Sequence, residues 1–192
     1  FWDSPWGKGR PGWHIECSAM AGKWIGAQID IHHGGEDLMF PHHENEIAQS
    51  EAASGLEPYT GIWLHNAFLT MSKTKMSKSL GNVVTARDFL VRYGTVVARM
   101  FCIGSHYRSI IDLEESSIEH TLASLQRIYE VKKVAAELAT KRMTVADPRS
   151  EAAWGIFLAE VDPCRARIDE CYFNDLNTAG ALAELFTLIR SF

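Results

Sequence analysis

Glycine is distributed unevenly along this chain: 12 of its 14 glycines, 7 of its 8 histidines and 5 of its 6 tryptophans lie in residues 1–110. A stretch so rich in glycine and histidine must contain turns and close backbone approaches, and it is where a site is expected. Residues 111–192 hold 9 basic against 14 acidic residues, which accounts for the whole formal net charge of −5, and read as charged helices. These observations predict an α/β part over 1–110 followed by an all-α part over 111–192. The acidic balance argues against a strongly basic nucleic-acid footprint, though not against a local patch. Four scattered cysteines make no disulfide scaffold, and no leader or long apolar run is visible, so secreted and membrane classes are not expected.

Periodicity sharpens this division. Residues 1–12 carry Pro and Gly at close intervals and read as a loop. Ser18 to Gly26 reads as helix. Gln28 to His32 alternates polar and apolar and is stopped by Gly34-Gly35, as a strand entering a functional loop would be. Pro41 starts a helix that runs from His42 to Ala53 and ends near Gly55. Ile62 to Leu69 is a second strand, leading into the polar loop Ser72 to Lys78. Strand, helix, strand, with polar residues after each strand, is the pattern in which ligands bind at strand carboxyl ends. Beyond residue 112, Ile118, Leu122, Leu125, Ile128 and Tyr129, and later Leu176, Leu182, Leu185, Leu188 and Ile189, recur at helical spacing. Met143 to Arg149 separates these helices as a loop.

Two constellations carry chemistry. On a helix, His42 and Glu46 stand one turn apart and present an imidazole and a carboxylate to one point. Cys17 is available as a soft third ligand, and zinc suits such a mixture with a fourth position left for substrate. His43 with Glu46, three apart, is the competing pair; the four-apart pair is preferred. The second constellation is Lys75-Met76-Ser77-Lys78-Ser79. Ammonium groups on mobile stems suit a triphosphate whose charge moves to the leaving pyrophosphate.

The word KMSKS at 75–79 is the second signature of class I aminoacyl-tRNA synthetases, and neighbouring words narrow the resemblance to the cysteinyl-tRNA synthetase family. Those words are Trp2 to Gly7, Gly12 to Ser18, Asp30-Ile31-His32, Gly34-Gly35 through Asp37 to Glu46, Leu80-Gly81-Asn82, His106 to Ser109 and Phe173 to Ala179. The resemblance implies the second half of a Rossmann-like nucleotide-binding domain followed by a helical, tRNA-facing region. It implies activation of L-cysteine to cysteinyl-adenylate with ATP and magnesium, then transfer to cysteine tRNA, in a cytoplasmic monomer. It carries one zinc onto Cys17, His42 and Glu46, and the catalytic role onto Lys78, which contacts ATP, with Lys75 as helper. Gly35 and Asp37 fall near the adenosine, and Trp13 and His32 in the cysteine pocket. A zinc-bound thiolate separates cysteine from serine where shape alone cannot.

The chain also departs from that pattern. The family's earlier His-Ile-Gly-His word and its further cysteine ligand are absent, so the chain reads as a fragment expected not to catalyse activation alone. His33 stands where the family usually has glycine, and Ser72-Lys73 is a decoy for the true signature. Two other readings compete: the cysteine ligase of mycothiol synthesis, and a non-catalytic zinc-binding or interaction module.

Overall fold

In the computed structural model the described residues are 1–71, 74–75, 83–140 and 148–192. Ser72-Lys73, the segment 76–82 that includes Lys78, and residues 141–147 lie outside them; of the loop expected over Met143 to Arg149, only Pro148 and Arg149 are described, and they open a helix instead.

Two compact units divide the chain, Phe1–Phe68 and Leu69–Phe192. The first opens with an antiparallel hairpin, β1 (Trp2–Ser4) and β2 (Gly7–Gly9), where a loop was expected. Pro5-Trp6 are the two residues of its turn; the Ser4 hydroxyl donates to Gly7 O at 2.6 Å, and Gly7 takes φ +107°, which a Cβ would disfavour. Pro and Gly here shape a turn between strands rather than dissolve them. Helix α1 (Trp13–Trp24) follows.

The parallel pair β3 (Ile29–Gly35) and β4 (Thr60–Asn66), connected through α2 (Glu44–Ser54), forms the βαβ unit expected from sequence. Two boundaries differ. Gly34-Gly35 belong to β3, paired with His65 and Asn66, instead of terminating it. Pro41 does not open a regular helix: it sits in a wide π-type turn over Met39–His43, after a short 3-10 turn over Glu36–Leu38, and α2 begins only at Glu44. Gly55 closes α2 in the left-handed region at φ +72°, its N–H donating to Glu51 O. Ser18 on α1 donates to Gln49 on α2 at 3.0 Å, tying the two helices.

The second predicted strand, Ile62 to Leu69, is two strands in two sheets. β4 stops at Asn66, and β5 (Leu69–Met71) pairs with β6 (Thr74–Lys75) and, in parallel, with β7 (Ile111–Asp112). That last pairing moves the boundary expected near residue 110. Because β7 hydrogen-bonds to β5, residues 111–112 are bound into the same unit as residue 69, and the division falls at 68/69.

Helix α3 (Ala86–Ile103) is N-capped by Thr85, which accepts from Asp88 N at 3.1 Å, and is broken at Gly94, φ +83°. From Glu115 the described chain is helical apart from one tight turn: α4 (Glu115–Thr140), α5 (Pro148–Phe173) and α6 (Thr178–Ser191). Arg167 on α5 donates to Glu184 on α6 at 2.7 Å beside the buried Cys164. In the α5–α6 turn, Asp175 and Leu176 are both left-handed, φ +55° and +54°. Arg108 grips Asp175 through two bonds, Nε to Oδ2 at 2.6 Å and Nη2 to Oδ1 at 3.2 Å, with the Tyr107 hydroxyl donating at 2.5 Å. The Arg108 guanidinium, chiefly, holds the Asp175 carboxyl down at about 2. A folded value below the ordinary 3.8 stabilises the fold above that ordinary value and is lost as pH falls from about 4 to about 2. Asp175→Asn is therefore expected to lower the thermal midpoint at pH 6 and to narrow its gap from the parent protein between pH 4 and 2. Two midpoint-against-pH curves that stay parallel over that range would contradict the linkage.

Candidate metal centre

Four elements of the first unit converge at the carboxyl ends of β3 and β4. Cys17 comes from α1, His42 and His43 from the π-type turn, Glu46 from the first turn of α2, and His32 from β3. Ligand atoms of Cys17, His42 and Glu46 lie within 4.8 Å of one another, close to the spacing of about 3.5 Å that tetrahedral zinc imposes on N, O and S donors. His42 is 6% exposed and Glu46 only 1%. Such burial of a carboxylate is tolerated only with cationic or donor partners.

Those partners are unequal. His32 Nε2 meets Glu46 Oε2 at 2.8 Å as a hydrogen bond. His42 Nε2 lies 2.8 Å from Glu46 Oε1, yet Glu46 Oε1 and His42 Nδ1 remain without a hydrogen-bond partner. An orphaned carboxylate oxygen and an imidazole drawn together beside a thiol are a donor set that a zinc ion fits. Burial, and next the nearby Glu46 charge, push the Cys17 thiol up, so a cation at this point is what would favour its thiolate.

The site residues expected from sequence separate into three groups. Cys17, His42 and Glu46 are together, with the Trp13 ring 4.3 Å from that of His42. His32 is half-buried, stacked on Trp63 at 4.4 Å and 21°, and bonded to Glu46, so it braces the carboxylate from the side away from His42. Gly35 precedes the 3-10 turn that bears the exposed Asp37, and a Cβ on Gly35 would lie 2.6 Å from Asp37 Oδ1: the carboxylate folds back over the glycine. His33 is exposed. Lys75 ends β6 of the second unit, and Lys78 lies outside the described residues.

Sequence reading passed over the layer behind the ligands. His43 is 3% exposed, its Nδ1 2.8 Å from His65 Nε2 and its ring 5.0 Å from Trp63; Trp63 and His65 are stacked 6.0 Å apart at 3°. Burial first, and then the His32 charge, drop the His43 imidazole to about 4, so it is neutral near pH 7. A second group, His32, His43 and Glu46, meets the same spacing through the shared carboxylate but lacks a thiol. Alternation in β4 puts Trp63 and His65 on one face, a signal that could have found them.

Gly34 is what admits His43. A Cβ there would stand 2.6 Å from His43 Cε1 and 2.8 Å from Nε2. Gly34→Ala is expected to destabilise the fold by about 1–3 kcal/mol through overpacking, whereas Gly22→Ala, with open space on α1, stabilises by about 0.5–1 kcal/mol. Urea midpoints of the two variants moving in the same direction would contradict this packing.

Solved structures share the fold. A LeuRS–tRNA–LeuAMS ternary complex from Agrobacterium radiobacter K84 superposes with a TM-score of 0.66 at 14% identity, covering 84% of this chain and 22% of that one. Methionyl-tRNA synthetase of Mycobacterium tuberculosis with methionyl-adenylate gives 0.61 at 19% identity, over 88% and 33%. The shared architecture is α/β followed by helices. Residues 1–123 match the family described as tRNA synthetases class I (C) catalytic domain, and the chain belongs to that family. Cysteine–tRNA ligases are 47% identical in Geotalea daltonii over 99% of this chain, 46% in Geobacter sulfurreducens over 100%, and 49% in Symbiobacterium thermophilum over 98%. The chain spans 39% of the length of each of these relatives.

Proposed function

We propose that this chain carries the cysteine-selecting half of a cysteine–tRNA ligase: the zinc ligands, the KMSKS loop and the start of a tRNA-facing helical region. The observation that carries the reading is the Cys17–His42–Glu46 triad, half-buried at Cys17 and buried at the other two, with its orphaned Glu46 oxygen. Zinc, when bound there, supplies a position that takes a thiolate far better than a hydroxyl. Around it the chain's own residues do the rest. His32 fixes the Glu46 carboxylate through Oε2 and leaves Oε1 turned to His42. Trp13 walls the approach beside His42. Gly35 and Asp37 form a backbone turn with a carboxylate, a combination suited to ribose hydroxyls. Lys78, assisted by Lys75, neutralises charge on the pyrophosphate as it leaves in adenylate formation with magnesium and ATP. Cysteine and the 3′ end of cysteine tRNA are then the substrates of the second step. Among the described residues no helix is long and apolar enough to cross a membrane, and the reading places the protein in the cytoplasm as a monomer.

The longer natural chain that contains these residues supplies the test. It is expected to catalyse cysteine-dependent exchange of pyrophosphate into ATP and to charge cysteine tRNA. Exchange together with ligation of cysteine to glucosaminyl-inositol, and no charging, would replace this reading by the mycothiol cysteine ligase. Zinc binding with no exchange would leave a metal-binding module.

A further inference from the structure

Glu184 is held by Arg167, and on α4 Glu130 accepts from Gln126 Nε2 at 2.8 Å. Between α4 and α6 lies a cleft of about 350 Å³ lined by Ser124 and Arg127 of α4 and by Ala183, Phe186, Thr187 and Arg190 of α6. Among the described residues no carboxylate lines it. Arg127 stands over the Phe186 ring, 5.6 Å from its centroid, and Arg190 donates to the Thr187 hydroxyl at 2.9 Å. Both arginines are exposed, and both are held by neutral partners in ways that leave guanidinium N–H groups to spare. The net charge of this half is negative, so a cleft with two arginines, two hydroxyls and no acid is a local reversal of sign.

We propose that this cleft seats a phosphodiester of an RNA backbone, with Arg127 and Arg190 as the two cations and Ser124 as a hydroxyl donor, while the Thr187 hydroxyl, which donates to Ala183 O at 3.0 Å, holds Arg190 in place. Planar guanidinium groups match phosphate oxygens in pairs, and the Ser124 hydroxyl adds a donor without reading a base. The adjoining groove shares Ser124 but also contains Asp112, so the phosphate belongs to the arginine side. The proposal rests on the synthetase reading above for its partner, tRNA, and on nothing but the cleft for its location. The contact positions the RNA and is blind to its sequence.

Filter binding of a cysteine tRNA transcript and of an unrelated tRNA to the longer natural chain, over a salt series, tests it. The double variant Arg127→Ala/Arg190→Ala is expected to weaken both RNAs about equally, by about 10-fold, and to reduce the slope of log affinity against log salt by about 1–2. Ala183→Glu, which removes no arginine but places a carboxylate in the cleft, is expected to weaken both in the same sense. An unchanged salt slope in the double variant, or Ala183→Glu binding like the parent protein, overturns the site. Cysteine-dependent pyrophosphate exchange by the unaltered chain, measured alongside, reports on the synthetase reading by itself, so each reading fails on its own measurement.

Discussion

Glu46→Gln is expected to cost the protein its zinc and, with it, the recognition of cysteine. Glutamine keeps the shape of the buried side chain but replaces an anion by an amide, a far poorer zinc ligand. The carboxylate it replaces is 1% exposed and lies 2.8 Å from both His32 and His42. Even partners that merely orient a ligand are worth about 10–100-fold in metal affinity, so loss of the ligand itself should exceed about 100-fold. In the longer natural chain the KM for cysteine should rise by at least about 100-fold, and discrimination against serine should fall toward the roughly 10–200-fold that shape alone provides. Stripping zinc from the unaltered protein with a chelator should reproduce both effects. Glu46→Gln that retains one zinc per chain with an unchanged KM would remove the metal from this triad.

Lys78→Ala should act on rate instead of binding. Its ammonium is assigned to charge that appears on the pyrophosphate as the Pα–O bond breaks, an interaction stronger in the transition state than before it. Losing one such donor costs about 100- to 1000-fold in kcat for pyrophosphate exchange. The KM for cysteine should stay near the parent value, because the residues proposed to hold zinc belong to α1, the turn before α2, and α2 itself. A variant whose KM rises while kcat holds would give Lys78 a binding role.

Much of the first unit was legible because its pattern is local. A period of two marked β3, the spacing from His42 to Glu46 marked one helical turn of the chain, and Gly55 marked its end. His42 and Glu46 still meet although the chain at His42 is a π-type turn and not yet α2, since one turn aligns the two side chains. What was illegible depended on partners distant in sequence. Ile62 to Leu69 looks continuous, but Leu69 pairs with Ile111, and only that pairing reveals two sheets. The Arg108 guanidinium could have faced a phosphate; the structure gives it Asp175, 67 residues away.

By itself, then, the sequence determined which side chains could bind a metal and a triphosphate, because ligand softness, charge and helical spacing are properties of residue type and neighbours along the chain. Tertiary structure decided which of the histidines faces Cys17. His42 and His43 are adjacent and chemically identical, yet the turn aims one at Cys17 and Glu46, while Gly34, by lacking a Cβ, draws the other against Trp63 and His65. That choice is made by excluded volume and burial, which no spacing records.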